Sequence, residues 1–176
     1  MMRLAVCLAG LMLLVACSRQ PRPASVSATR TPFTLPQQYT ENVGPVTVHV
    51  FENGLTLIHQ KREANAIVGI SAYIRTGACE DSDDKAGLTN LMMCVLTKGT
   101  TRRTSDGIAE EAALLGMPLS ASAGQDLCSL TAQCVKADLG EALDLYSDVL
   151  FEPAFPVDQV NLERQKVAAA IRMRDD

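Results

Sequence analysis

The stretch AGLTNLMMCVLTKGT, residues Ala86–Thr100, decides the fold that the sequence predicts. Its apolar residues recur at helical spacing and the run ends in KGT, so the pattern predicts a short helix that stops there. Asn90, Met93 and Cys94 fall at positions i, i+3 and i+4, and they therefore lie on one side of this helix. Such spacing commonly builds a metal or catalytic site, although an amide and a thioether are poor at such work.

Upstream of this helix the sequence predicts three strands. Asn53 and Gly54 separate VTVHVF from LTLIHQ, which predicts a two-residue turn between two antiparallel strands. AIVGISAYIR, residues 66–75, predicts a third strand because its apolar residues alternate. The residues that share the apolar face of this third strand are Val68, Ile70, Ala72 and Ile74.

Downstream of the quoted helix the sequence predicts more helices and strands. One helix is predicted over residues 105–115, opened by Ser105 and Asp106. PLSASAG and LCSLTAQCV alternate as two antiparallel strands, a helix follows with Asp138 as its N-cap, and a last helix begins near Val157. This order indicates the α+β class, with an antiparallel sheet and helices packed on one of its faces. The apolar positions of the helix after Asp138 are Leu139, Ala142, Leu143, Tyr146 and Val149.

The two histidines of the sequence, His49 and His59, lie on the two arms of the predicted hairpin. With a two-residue turn Glu52 faces Leu55, and His49 then faces Ile58. The two imidazoles would point to opposite sides of the ribbon. We therefore expect no shared metal site between them.

The cysteines of the predicted folded part are read as small apolar side chains. Cys128 and Cys134 share a face of one strand. Their positions are six residues apart, which is about 20 Å along a strand, so they cannot form a disulfide with each other. Buried free thiols pack as small apolar groups, which is the reading that we favour for both. A disulfide from either of them to Cys79 or Cys94 stays open.

Length, composition and charge limit the function classes. The 176 residues fit one domain plus appendages, and 47% hydrophobic with 20% charged residues is ordinary for a globular protein. The formal charge of −4 and the lack of a basic cluster argue against a nucleic-acid partner.

The N-terminus has the pattern of a bacterial lipoprotein signal peptide. Arg3 supplies the positive segment, and Leu4–Ala16 supplies an apolar run that is too short to span a bilayer. Small residues precede Cys17, which predicts that its thiol takes a lipid and that the signal peptide is then cleaved before Cys17. Several acyl chains on one residue would hold the chain at a membrane. Ser18 follows the cysteine, which favours the outer membrane, on the periplasmic side, in a cell with two membranes.

Three segments follow from these observations. Residues 1–16 are the predicted signal peptide, and residues 17–44 are the lipidated Cys17 with a tether. This tether is rich in Pro, Ser, Thr and Gln and has no apolar period. Residues 45–176 are the predicted folded domain. The expected location is the cell envelope.

Several stretches together resemble the zinc peptidase family of pitrilysin, insulysin and the mitochondrial processing peptidases. FENGLTLIHQKREANAIVGISAYIRTGA is similar to the family's opening hairpin and strand. KAGLTNLMMCVLTKGT resembles its active-site helix, G-x-A-H-x-x-E-H-M-x-F-K-G-T, and ERQKVAAAIRMRDD resembles E-R-x-x-V-x-x-E-I-R-M-R-x-D. The resemblance covers about residues 46–176 and implies a partial pitrilysin-like domain.

The resemblance also implies which residues would form a metal site. In H-x-x-E-H two histidines bind Zn²⁺ from one helical face and the glutamate is the general base, while a distal glutamate completes the ligands. The sequence departs from this pattern at all four positions, so the resemblance implies no catalytic residue, no metal and no cofactor. These positions hold Asn90 and Cys94 for the histidines, Met93 for the base and Ala170 for the distal glutamate.

The implied function is a non-catalytic lipoprotein that pairs with an active zinc peptidase homologue and supplies part of a peptide-binding chamber. Three alternatives stay open. The chain could serve a purely structural or interaction role, or it could be a fragment or truncated product with no function of its own. It could also be an enzyme that uses the Cys94 thiol, although no histidine or other base is expected beside it.

Overall fold

The computed structural model describes residues 37–175, which form six strands and four α-helices. The chain divides into two compact units, Met1–Lys61 and Arg62–Asp176. The described part of the first unit contains three strands, and the second contains three strands and all four helices. In chain order the elements are β1 (Gln37–Val43), β2 (Val46–Phe51), β3 (Thr56–Gln60), β4 (Ile67–Ile74), α1 (Leu88–Leu96), α2 (Ser105–Leu114), β5 (Leu119–Ala123), β6 (Cys128–Val135), α3 (Leu139–Phe151) and α4 (Val157–Asp175).

The first unit is an antiparallel sheet in the order β1-β2-β3. Strand β1 occupies residues 37–43, which the sequence analysis assigned to the tether. Pairing with β2 explains this strand, because β2 satisfies its backbone groups although the segment has no apolar period of its own. The predicted signal peptide, Cys17 and the rest of the tether lie outside the described residues.

The hairpin between β2 and β3 exists where it was predicted, but the predicted register is wrong. The N–H of Phe51 donates to the carbonyl of Leu55 at 2.9 Å, and the N–H of Gly54 donates to the carbonyl of Phe51 at 2.9 Å. Three residues therefore connect the strands, with Gly54 in the left-handed region at φ +84°. The extra loop residue shifts the pairing by one position, so His49 faces Leu57 rather than Ile58.

The second unit is built on an antiparallel sheet in the order β4-β6-β5. Alternate residues of the central strand β6 are buried, from Cys128 to Cys134. Helix α1 contacts β5 and helix α3 contacts β6, so helices cover this inner face. The α+β class with helices on one face of an antiparallel sheet is confirmed. The buried core comprises Met93, Leu96, Ile108, Leu115, Met117, Cys128, Leu130, Ala132, Cys134, Ala142, Leu145, Tyr146 and Val149.

Two local helix predictions need correction. Thr104 rather than Ser105 caps α2, because its side chain accepts a hydrogen bond from the N–H of Gly107 at 3.2 Å. In α3 Leu143, one of the residues assigned to the apolar positions, is 45% exposed, whereas Leu145 is fully buried. The buried stripe of α3 therefore comprises Ala142, Leu145, Tyr146 and Val149, which all belong to the hydrophobic core.

The four cysteines within residues 37–175 are all free. Cys128 and Cys134 are buried, as the sequence predicted, and burial is the main cause that raises the pKa of both thiols. Cys79 is exposed and Cys94 is half-buried. Among the same residues, none of the helices combines the length and the apolar character that crossing a membrane requires.

Candidate functional site

Helix α1 begins where the Asp81 carboxylate meets its first backbone groups. This carboxylate accepts hydrogen bonds from the N–H of Gly87 at 3.0 Å, the N–H of Thr89 at 3.2 Å and the hydroxyl of Thr89 at 2.6 Å. The hydroxyl contributes most, and these donors outweigh burial and hold the pKa of Asp81 below its usual range. Gly87 is left-handed at φ +91°, which favours glycine at this entry. The acidic loop thus fixes the start of α1.

The segment after α1 contacts α4 through charged side chains. Lys98 Nζ lies 3.9 Å from Glu163 Oε1. Lys166 lies one turn after Glu163 on α4, and its Nζ donates to the same Glu163 oxygen at 2.8 Å. Glu163 is only 8% exposed, so two ammonium groups neutralise a carboxylate that is nearly removed from water.

An apolar groove of about 520 Å³ lies between the N-terminal half of α1 and the C-terminal half of α4. The opposite end of α1 lies near Glu163, early in α4. The two helices therefore run in opposite directions along each other. The aliphatic residues that line the groove are Ala86, Leu88, Leu91, Val167, Ala168 and Ile171.

The four predicted site positions lie on these two contacting helices, in unlike environments. Asn90 is exposed and Cys94 half-buried on α1. Met93 is 1% exposed and belongs to the hydrophobic core. Ala170 is exposed, and it follows Glu163 by two helical turns on the same face of α4. The structure thus brings the predicted positions to one helix pair, with Met93 turned into the core.

A network of five charged side chains that the sequence analysis missed holds the loop after α1. Asp148 on α3 is fully buried, and both Arg102 and Arg103 donate to its carboxylate. Arg103 also donates to Glu111 on α2 at 2.8 and 3.0 Å and to Asp144 at 2.8 Å. The hydrogen bonds with Glu111 are the largest cause that raises the pKa of Arg103. This network ties the loop to α2 and α3.

This network of charged side chains is hard to predict from local sequence patterns. Its contacts between the arginines and α3 join residues that are 41 to 46 positions apart. The available signal was the adjacent pair Arg102 and Arg103 together with Asp144 and Asp148, spaced i and i+4 on a predicted helix. Burial alone would raise the pKa of Asp144, but the two arginines outweigh it and lower the pKa.

Possible metal donors are sparse in the part of the chain that the structure describes. Between residues 37 and 175, no three His, Cys, Asp or Glu side chains lie close enough together to hold a metal ion. The predicted positions present an exposed amide at Asn90, a half-buried thiol at Cys94, a buried thioether at Met93 and a methyl group at Ala170. Only the thiol of this set is a good zinc ligand, in its deprotonated form.

The fold and these helices correspond to a known protein family. Residues 56–176 match the family described as Insulinase (Peptidase family M16). The chain belongs to the M16 peptidase family. The resemblance inferred from the sequence motifs is therefore confirmed.

Relatives of this M16 chain include proteins that are named as peptidases. It is 29% identical over 123 residues to an uncharacterized zinc protease of Mycobacterium leprae. This alignment covers 70% of this chain and 28% of the relative. It is 25% identical over 120 residues to a probable mitochondrial-processing peptidase subunit beta of Arabidopsis thaliana. This alignment covers 68% of this chain and 23% of the relative. The M16 chain thus spans about a quarter of the length of these relatives.

Solved structures share the fold of this M16 chain. An M16 inactive domain from Pseudomonas fluorescens superposes with a TM-score of 0.70 at 18% identity, over 74% of this chain and 32% of that one. A protease from Helicobacter pylori superposes with a TM-score of 0.66 at 19% identity, over 72% and 30% of the two chains. These likenesses establish the fold of the M16 segment.

Proposed function

We propose that this chain is a non-catalytic M16 lipoprotein, anchored through Cys17 in a bacterial cell envelope. In this proposal it serves an active M16 peptidase as a partner and supplies a peptide-binding surface. The proposal is carried by the residue types on α1 and α4, because the resemblance assigns Asn90, Met93, Cys94 and Ala170 to the family's metal and base positions. Family membership supports the scaffold, and the chemistry of these side chains supports the loss of catalysis.

The donor set does not fit a catalytic zinc ion. Such an ion takes about three protein ligands, usually from His, Cys, Asp and Glu side chains. Here an amide oxygen is a weak ligand, a methyl group offers no lone pair, and a single thiol remains. Met93 has no group that could take a proton from water. We therefore derive no hydrolytic step for this chain.

The scaffold around these positions supports a binding role. Helix α1 is fixed at its start by Asp81 and after its end by Lys98 with Glu163. The apolar groove beside it exposes Leu88, which is 52% accessible to water. Exposed aliphatic surface of this kind is typical of interaction sites. In the proposal this groove receives a segment of the active M16 partner.

The loss of catalysis is tested with the full chain in detergent. We expect no cleavage of unfolded peptides and no effect of added zinc or of a chelator. An intact M16 peptidase from the same cells serves as the positive control. Cleavage that a chelator abolishes and that Cys94→Ser also abolishes would overturn the non-catalytic proposal.

The lipid anchor is tested by labelling cells with radioactive palmitate. The chain offers a matched control, because Cys7 lies within the predicted signal peptide and Cys17 follows it. We expect Cys17→Ser to abolish the label and to release the protein from the membrane fraction, and Cys7→Ser to change neither. Equal labelling of both variants would refute lipidation at Cys17.

The partner role is tested by purification from solubilised membranes. An M16 peptidase with an intact H-x-x-E-H motif should copurify with the wild-type chain. Leu88→Asp in the groove should weaken this association at least tenfold, whereas Leu143→Asp on α3 should leave it unchanged. The two leucines are 52% and 45% exposed, so neither change disturbs the core. Recovery without such a peptidase, or equal binding by both variants, would argue against the role.

A further inference from the structure

The register of the hairpin places the two histidines of the chain on one face of the first sheet. Thr47 pairs with His59, and His49 pairs with Leu57. Residues that face each other across antiparallel strands share a face, and so do residues two apart along one strand. His49 and His59 are therefore diagonal neighbours on the same face. This outcome reverses the expectation from a two-residue turn.

Diagonal neighbours are close enough to bind one ion together. Their Cα atoms lie about 7–8 Å apart, which long and aromatic side chains can bridge. An imidazole nitrogen binds a transition metal at about 2.0–2.1 Å. Two imidazoles that lean toward each other thus span this separation with a metal ion between them.

A third strand orients one of the two rings. Thr40 on β1 faces His49 across the β1-β2 pair, and its Oγ1 lies 3.0 Å from Nδ1 of His49. This hydrogen bond occupies Nδ1 and leaves Nε2 as the free nitrogen. Histidine ligands of metal ions usually have their second nitrogen held in this way. His59 is exposed and His49 half-buried, so water and ions reach both rings.

We propose that His49 and His59 form a two-histidine chelate for a divalent transition ion, with water completing the coordination. Imidazole suits Cu²⁺, Ni²⁺ and Zn²⁺, and Cu²⁺ binds most tightly of these in a given site. Two protein ligands make the site exchangeable rather than structural. The site lies within the first unit and is independent of the proposed function of α1 and α4.

The test uses Cu²⁺ and the full chain in detergent at pH 7.5. One equivalent should bind, and the side-chain NMR signals of both histidines should broaden together below one equivalent. His49→Ala and His59→Ala should each weaken binding at least tenfold, because either change removes the chelate. Gln60→Ala, on the opposite face of β3, is the matched control and should bind as the wild type does.

Three results would overturn the proposal. The first is broadening of one histidine without the other in the wild-type chain, which requires no variant to fold. The second is two independent sites, each lost with one histidine. The third is binding by both single variants at wild-type affinity, which would assign the copper to other groups, such as the exposed thiol of Cys79.

Discussion

Replacing Met93 by glutamate puts a carboxyl group where the family resemblance predicts the general base, and it tests whether this position is part of the buried core. Met93 is 1% exposed and packs within the hydrophobic cluster of the second unit. A carboxylate there would lose its water without gaining a metal ion or a cation. We expect the variant to fold with the glutamic acid protonated and neutral. It will fold only if the free energy of unfolding of the protein exceeds the free energy that this burial costs.

The magnitude follows from the protonation equilibrium. An unfolded glutamate has a pKa of about 4.3, so holding it neutral at pH 7 costs about 3.7 kcal/mol. Burying the neutral carboxyl without a full set of partners costs about 1–3 kcal/mol more. Because the folded pKa is raised, the loss of stability grows by about 1.4 kcal/mol for each pH unit above the unfolded pKa. At pH 5 the protonation cost is therefore only about 1 kcal/mol.

Urea denaturation of the full chain, followed by circular dichroism at pH 5 and pH 7, measures this cost. Met93→Gln is the matched control, since it has nearly the same shape and does not titrate. The difference in unfolding free energy between the two variants should rise from about 1 kcal/mol at pH 5 to about 3.7 kcal/mol at pH 7. A difference that stays below 1 kcal/mol at both pH values would show that position 93 is hydrated and would refute the reasoning.

Three further predictions concern the scaffold. Asp148→Asn should destabilise the protein by about 3–5 kcal/mol, because it leaves two arginines without their buried carboxylate. Asp144→Asn is the control and should lower the free energy of unfolding by less. Thermal unfolding of the two variants measures the difference. Gly77→Ala should cost about 1–3 kcal/mol in urea denaturation, since its Cβ would lie 2.1 Å from a backbone oxygen, whereas Gly69→Ala meets open space. The folded protein lowers the pKa of Asp81 below its unfolded value of 3.8. The contribution of Asp81 to stability is therefore present above pH 3.8 and is lost as the pH falls through the pKa of the folded state. Acid unfolding curves of wild type and Asp81→Asn should therefore differ above pH 4 and converge at lower pH; parallel curves would exclude this role.

Long apolar patterns were readable in the sequence because their period depends only on local geometry. The third strand and the helix that ends before KGT lie where they were predicted. The pattern on α3 was less decisive, because Leu143 and Leu145 are both leucines on an amphipathic helix. Only the packing of α3 in the folded unit determined that Leu145 belongs to the core.

The sequence by itself determined the fold class and the family, since both rest on residue identity and local spacing. Only the tertiary structure decided the hairpin register, because one extra loop residue exchanges the faces of every side chain on β3 relative to β2. It also decided the partners of Asp148, because distant segments meet only after the core forms. Local spacing carries no information on such contacts, whereas burial and strand pairing select them.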